Sequence, residues 1–137
     1  MSKMKPSLIF EVNVPIAPVP KARPKVSKNR AYTPTRTRRA EAMIAAYVRP
    51  KYKGELHHGA MGIKAIFVHR RPKALKGTDR IPKHTRPDGD NLLKLVLDAC
   101  EGIIYKCDGQ FCLYHVEDWY GEPNESPHAS LYFYMVK

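Results

Sequence analysis

Acidic residues are scarce in this chain and are missing altogether from one long stretch of it. The 13 Asp and Glu residues are outnumbered by 24 Lys and Arg, which leaves a formal net charge of +11 at pH 7. No acid lies between Val12 and Ala40, and only Asp79 interrupts the cations from Lys64 to Arg86. Such a surface favours a polyanion, because each phosphate neutralised by Lys or Arg releases counterions. A solvated basic surface without a partner is the alternative, and the length of the two runs disfavours it.

Cysteine is also rare, and long apolar runs are missing. The three cysteines include no C-x-x-C pair, so we expect neither a disulfide framework nor a zinc site built on Cys107, Cys112 and His115. No run of about eighteen apolar residues exists, so no membrane span is expected. The first residues lack the apolar stretch of a secretory signal. We therefore expect a cytoplasmic protein without a membrane partner, and no protein partner is evident.

What the chain does have is the composition of a folded domain. Hydrophobic residues make up 43% of its 137 positions, which is enough for one core. Periodicity predicts strands at residues 8–14, 59–69, 103–106, 111–119 and 129–136, and helices at 36–48 and 90–101. We therefore predict a single α+β domain over residues 1–137, with about two helices packed on one mixed sheet.

The first strand and the first helix each have a predicted inward face. In the strand this face holds Leu8, Phe10, Val12 and Val14. In the helix the inward face holds Ala40, Met43, Ile44 and Tyr47. Thr33 is the predicted N-cap of this helix, and Pro34 is its predicted first residue. Prolines predict irregular structure in a basic arm at about residues 15–31 and in a basic loop at residues 70–87.

The acids that do occur gather around the start of the second predicted helix. Asp88 and Asp90 flank Gly89, whose small size permits a bend that turns both carboxylates towards one point. Helical spacing places Asp90, Lys94 and Asp98 on one charged stripe, opposite an apolar face of Leu92, Leu93, Val96, Ala99 and Cys100. A capped helix carrying solvated i,i+4 ion pairs is the alternative interpretation.

Asp108 extends this acidic group. It stands in an Asp-Gly turn between two predicted strands, and a returning strand would place it beside the helix start. Proteins bind Mg²⁺ through carboxylate oxygens, and water and substrate phosphate complete its coordination. Three carboxylates would suit one or two such ions, so the pattern favours metal-dependent hydrolysis of a phosphodiester.

These motifs resemble those of the RusA-like endodeoxyribonucleases, which are Holliday-junction resolvases often carried by phages and prophages. The similarity rests on Asp88-x-Asp90-Asn91-x-x-Lys94-x-x-x-Asp98, on the later Asp108-x-Gln110, and on the arm Pro18-x-Pro20-Lys21-Ala22-Arg23-Pro24 followed by Tyr32-Thr33-Pro34. It extends from about Pro15 to Gln110 in the expected order. One position departs from the family pattern, because Cys107 stands where a first aspartate usually precedes the catalytic one.

The resemblance implies a specific set of roles. Asp88, Asp90 and Asp108 are the implied metal ligands, and Lys94 is the implied catalytic cation. Mg²⁺ is the expected cofactor, with Mn²⁺ as a substitute, and a homodimer is implied because a four-way junction must be nicked symmetrically. The resemblance also implies a role in DNA recombination and repair. Cys107, whose thiol is a softer ligand, is expected to weaken metal affinity or to alter the preferred ion.

Supporting roles follow from residue chemistry. Asn91 and Asp98 are expected to hold the ligand carboxylates in place without binding the metal themselves. The residues expected to grip DNA phosphates are Lys21, Arg23, Lys25, Lys28, Arg30, Arg70, Arg71, Lys83 and Arg86. The alternative function is a non-catalytic basic protein that binds nucleic acid, whose acids serve only as caps and surface pairs.

Overall fold

The main sheet contains strands from both ends and from the middle of the chain. The computed structural model describes residues 5–22, 25–27, 30–32, 35–86 and 88–137. Its elements are β1 (Pro6–Val14), β2 (Lys25–Ser27), β3 (Arg30–Tyr32), α1 (Thr35–Val48), β4 (Met61–His69), β5 (Ile81–Pro82), α2 (Gly89–Cys100), β6 (Phe111–Tyr120) and β7 (His128–Val136). A single 3₁₀ turn, Asp108–Gln110, precedes β6.

The main sheet has the strand order β1-β7-β4-β6-β5. Its neighbours pair antiparallel except β4 and β6, which are parallel and therefore require a long crossover between them. That crossover contains α2. The predicted α+β class, with a mixed sheet and two helices, is confirmed.

The core lies between the helices and one face of the sheet. Alternate residues of β4 are fully buried there because successive side chains of a strand point to opposite faces. They are Met61, Ile63, Ala65 and Phe67. In β1 the predicted inward face is only partly right. Val12 and Val14 are buried, but a bulge between Leu8 and Phe10 shifts the register and leaves Leu8 50% exposed.

The buried face of α1 differs by part of a turn from the predicted one. Ala40 and Ile44 are buried as expected, together with Thr37 and Val48. Met43 is 54% exposed, and its predicted burial was wrong. The reason is that α1 packs mainly against α2, so its apolar stripe follows that neighbour. The predicted cap at residues 33–34 lies outside the described residues.

The second helix occurs close to its predicted position. It ends just before Gly102, whose φ of 81° is the left-handed conformation that glycine adopts without strain. The predicted apolar face is buried, and Leu95 and Leu97 are buried as well, because both the sheet and α1 cover this helix. No helix in the described residues is long and apolar enough to cross a bilayer.

Three predictions for the irregular segments need correction. The basic arm contains a two-stranded ribbon of β2 and β3, formed where no proline intervenes between Pro24 and Pro34. The basic loop contains β5, which pairs with the end of β6. The strand predicted at residues 103–106 is instead a turn with isolated bridges, held by the buried ring of Tyr105.

Candidate active site at the start of α2

The N-terminal end of α2 lies directly on β6. A Cβ atom added to Gly89 would come within 2.9 Å of the Val116 Cγ1 atom, which is closer than real Cβ atoms approach. Glycine therefore allows the helix to begin in contact with the strand. This contact fixes the position of the two aspartates that flank Gly89.

Asp88 occupies the N-cap position of α2 without using its carboxylate as a cap. Its backbone is extended, and its carbonyl oxygen accepts the N–H groups of Asn91 and Leu92 at 3.1 and 3.2 Å. No hydrogen bond from the helix to its side chain is present, and the residue is exposed. The carboxylate therefore stands at the N-terminal end of the helix, which is the positive end of its dipole.

Asp90 lies in the first turn and is also open to solvent. Its side chain is 77% exposed, and its Oδ2 atom lies 3.8 Å from the Lys94 Nζ atom. Lys94 itself is 61% exposed, so this i,i+4 pair is weak and easily rearranged. The predicted charged stripe is therefore present. Asp90 and Lys94 are accessible to a metal ion or to a phosphate.

Asp108 lies at the opposite end of the same helix. Its backbone N–H donates to the Oε1 atom of Glu101, the C-cap residue of α2, at 3.2 Å. A helix of 12 residues is about 18 Å long, so Asp108 does not reach Asp88 within one chain. Its expected position beside the helix start was wrong. The described residues contain no group of three metal-binding side chains.

The turn around Asp108 is organised by Gln110, for which sequence reasoning gave no role. The Gln110 Oε1 atom accepts the N–H groups of Lys106 and Cys107, both at 2.9 Å. Its Nε2 atom donates to the carbonyls of His57 and Gly59. Cys107 is exposed beside this turn, whereas burial raises the pKa of the Cys100 thiol to about 12. The Asp-x-Gln motif thus fixes the backbone that carries Asp108.

Lys21, expected to contact DNA, joins the basic arm to both helices. Its Nζ atom lies 2.6 Å from the Glu41 Oε1 atom of α1 and 3.0 Å from the Asp98 Oδ2 atom of α2. Its backbone N–H donates to the Asn91 carbonyl at 3.0 Å. Partial burial opposes its charge, but the two carboxylates outweigh this effect and raise the pKa of Lys21. Asp98 therefore anchors the arm beside the site.

The other expected phosphate contacts divide into three groups. Arg70 and Arg86 are exposed, as that role requires. The Arg71 guanidinium donates to backbone carbonyls of Leu75, Lys76, Asp79 and Gly121, and the side chain of Lys83 is only 4% exposed. Both are therefore used inside the protein. Arg23 and Lys28 lie outside the described residues, and Lys25 and Arg30 belong to β2 and β3.

One comparison with known proteins decides the family. The family model described as Endodeoxyribonuclease RusA matches residues 15–126, which is most of the chain. The chain belongs to the RusA family. A search of curated proteins found no match. The RusA match covers the arm, both ends of α2 and all of β6, and leaves β1 and β7 outside. RusA proteins are endodeoxyribonucleases that act on Holliday junctions.

A buried polar cluster near the RusA motif was missed by sequence reasoning. Asp118, in β6, lies with its Oδ1 atom 2.5 Å from the His69 Nε2 atom and its Oδ2 atom 3.7 Å from the Lys83 Nζ atom. The side chains of Asp118, His69 and Lys83 are 11, 14 and 4% exposed. The only sequence signal was an acid in a strand pattern, which on its own does not indicate burial.

Proposed function

We propose that this RusA-family chain is a Mg²⁺-dependent endodeoxyribonuclease that resolves four-way DNA junctions by paired, symmetric nicks. The observation that carries the proposal is the pair of exposed carboxylates, Asp88 and Asp90, at the positive end of a buried helix and beside Lys94. The Asp88 carboxylate is not used as a cap, which disfavours the structural alternative for that residue. We further propose that the reaction serves recombination and repair of cytoplasmic DNA.

Asp88 and Asp90 fit part of a Mg²⁺ site. Proteins commonly bind this ion through one or two carboxylates and leave the remaining positions to water and substrate phosphate. When bound, Mg²⁺ or Mn²⁺ would stabilise charge that develops on the phosphate and make a water molecule more acidic. The third implied ligand, Asp108, does not fit within the same chain, because α2 separates it from the pair.

The chain's own residues supply the rest of the chemistry. Lys94 is flexible and exposed, so its ammonium group can turn from Asp90 to the substrate phosphate and stabilise charge in the transition state. Asn91, half-buried one residue further on, would hold a ligand carboxylate in place. Arg70 and Arg86, together with the arm cations Arg23, Lys25, Lys28 and Arg30, position DNA through its phosphates.

We propose that a homodimer completes the metal site. The helix face of β6 carries the start of α2 above Val116, and Asp108 precedes the same strand at its other end. In the described residues, β5 covers β6 only at Trp119 and Tyr120, so most of this strand edge has no partner strand. Two-fold antiparallel pairing of two β6 edges would bring the partner subunit's Asp108 towards Asp88 and Asp90.

Mixing two inactive variants tests this arrangement. Asp90→Asn and Asp108→Asn are each expected to abolish cleavage. If the site is shared, the mixed dimer contains one site with both changes and one site with neither, so nicking of a junction returns after subunit exchange. If each site lies within one chain, both sites of the mixed dimer stay defective and no nicking returns. That result, with subunit exchange verified, would refute the shared site.

A junction assay tests the enzyme itself against the rival function. A labelled four-way junction and a linear duplex of the same sequence are incubated with protein, in Mg²⁺ or in chelator. The proposal predicts metal-dependent paired nicks at the branch point that are lost with Asp90→Asn. If the protein binds both DNAs but cleaves neither, in Mg²⁺ and also in Mn²⁺, it is instead a non-catalytic nucleic-acid-binding protein.

A further inference from the structure

We propose that Asp118 is a positioning residue that holds Asp88 in place by fixing the end of the basic loop. The inference rests on the proposed function for its catalytic meaning, while its structural meaning can be measured separately. Asp118 touches none of the candidate ligands. It forms the centre of the buried cluster with His69 and Lys83, next to the start of α2.

The strand geometry places this cluster beside Asp88. Val116, on β6, is in contact with Gly89 at the first position of α2. Asp118 is the next residue on the same face of the strand, about 7 Å further along, since successive residues alternate between faces. The cluster therefore lies just beyond the beginning of the helix, where the loop enters it.

Contacts from Asp118 lead step by step towards Asp88. The Asp118 carbonyl accepts the Lys83 N–H at 2.9 Å, and its carboxylate faces the Lys83 ammonium group. Lys83 in turn donates from Nζ to the Thr85 carbonyl at 2.6 Å. The Thr85 hydroxyl lies 3.2 Å from the hydroxyl of Tyr120, two residues beyond Asp118 in β6. The backbone of Lys83 is thus bonded to β6 directly, and Thr85, which the Lys83 side chain holds, contacts β6 at Tyr120.

Only two residues separate Thr85 from Asp88, so the Cα atoms of this pair are at most about 11 Å apart. Asp88 is therefore held between a loop end fixed on β6 and a helix start fixed on Val116. Because the ammonium group of Lys83 is buried, loss of the opposing carboxylate leaves it without that counter-charge. The end of the loop would then move, and Asp88 with it.

Hydrogen exchange tests the positioning role directly. With Asp118→Asn, we expect amides in the peptide 84–92 to exchange about tenfold faster, and Mn²⁺ affinity, measured by EPR without DNA, to fall about tenfold. The control is Glu125→Gln, which breaks the contact of Glu125 with Arg80 earlier in the same loop. It should change neither quantity. Asp118→Glu should recover part of the Mn²⁺ affinity.

Unchanged exchange in peptide 84–92 would overturn the inference, as would equal acceleration across β1 and β7, which indicates general destabilisation. If Asp118→Asn does not fold, Lys83→Met removes the cation while filling its space and should produce the same local acceleration. A wild-type protein that neither binds Mn²⁺ nor nicks junctions would refute the proposed function instead. Exchange in the variant would still report whether Asp118 fixes the loop.

Discussion

The two ends of α2 both present exposed acids, but on different supports. At the N-terminal end Asp88 and Asp90 are exposed above a buried ionic cluster. At the C-terminal end, the aromatic ring of Tyr105 is fully buried, and Asp108 belongs to a turn whose backbone Gln110 and Glu101 organise. The N-terminal, open end carries two exposed carboxylates, whereas the C-terminal, closed end carries one exposed carboxylate on a turn fixed over a buried ring. Substitution of an exposed carboxylate should therefore change the chemistry, whereas substitution of the buried support at the closed end should change the stability.

The largest expected effect is on stability at the closed end. Tyr105 packs against Phe111 and Phe133, and its hydroxyl donates to the Leu97 carbonyl inside the core. Tyr105→Ala should lower the free energy of unfolding by about 3–5 kcal/mol, and Tyr105→Phe by about 1 kcal/mol. Chemical denaturation measures both. Equal losses in the two variants would show that the hydroxyl, rather than the ring, carries the contribution.

The next effect concerns activity at the open end. Asp90→Asn should lower junction cleavage at least about 100-fold. Substitution of residues that only hydrogen-bond to a metal ligand already lowers metal affinity or activity about 10–100-fold. The unfolding free energy of Asp90→Asn should change by no more than about 0.5 kcal/mol, because the side chain is 77% exposed. Cleavage assays and denaturation of the same preparation give both values. A loss of cleavage explained by an equally large loss of unfolding free energy would contradict the catalytic role of Asp90.

Lys21 tests the connection between the arm and the charged side of α2. Lys21→Met leaves Glu41 and Asp98 facing each other and should lower the unfolding free energy by about 1–2 kcal/mol. Lys21→Arg, which keeps the charge, should lose less. Because the folded pKa of Lys21 is raised, its contribution is present below the unfolded value and fades as the pH rises through the folded one. Denaturation of wild type and Lys21→Met from pH 8 upwards should therefore converge.

The smallest effect is expected at the Arg80–Glu125 pair, further along the loop that leads to the open end. The hydrogen bond from Arg80 lowers the pKa of Glu125 below its ordinary value of 4.5. The resulting stability is present above pH 4.5 and is lost as the pH falls through the lowered pKa. Glu125→Gln should cost about 0.5 kcal/mol at neutral pH, and that difference should vanish in acid. A difference that grows in acid would assign the stability to another group.

The fold could be predicted where apolar periodicity was strong. The strand ending in Val14, the strand of Met61 to His69 and the helix at Asp90 all follow their hydrophobic pattern. The failures are long-range in origin. The exposure of Met43 depends on where α2 packs, and the turn at Tyr105 depends on a ring buried among distant residues. Such contacts leave no local pattern in the sequence.

The site was predictable in its residues more than in its arrangement. Helical spacing placed Asp90 and Lys94 together, and the structure has them 3.8 Å apart. Sequence could not show that α2 separates Asp108 from them, because residues 103–106, predicted as a returning strand, instead form a turn held by a buried ring at the far end of the helix. Nor could it show that Lys21 and Lys83 are engaged within the protein, since a cation's partners are set by tertiary packing.

The parallel pairing of β4 and β6 also determines when the site can form. All candidate ligands lie in the connection between these two strands or at its ends. Closing so long a connection costs chain entropy before the parallel contacts repay it, which makes such pairings slow steps in folding. Helix α2 can form locally and early, but the surroundings of Asp88 exist only after β6 has joined the sheet. During refolding, helical circular dichroism should therefore recover before metal affinity.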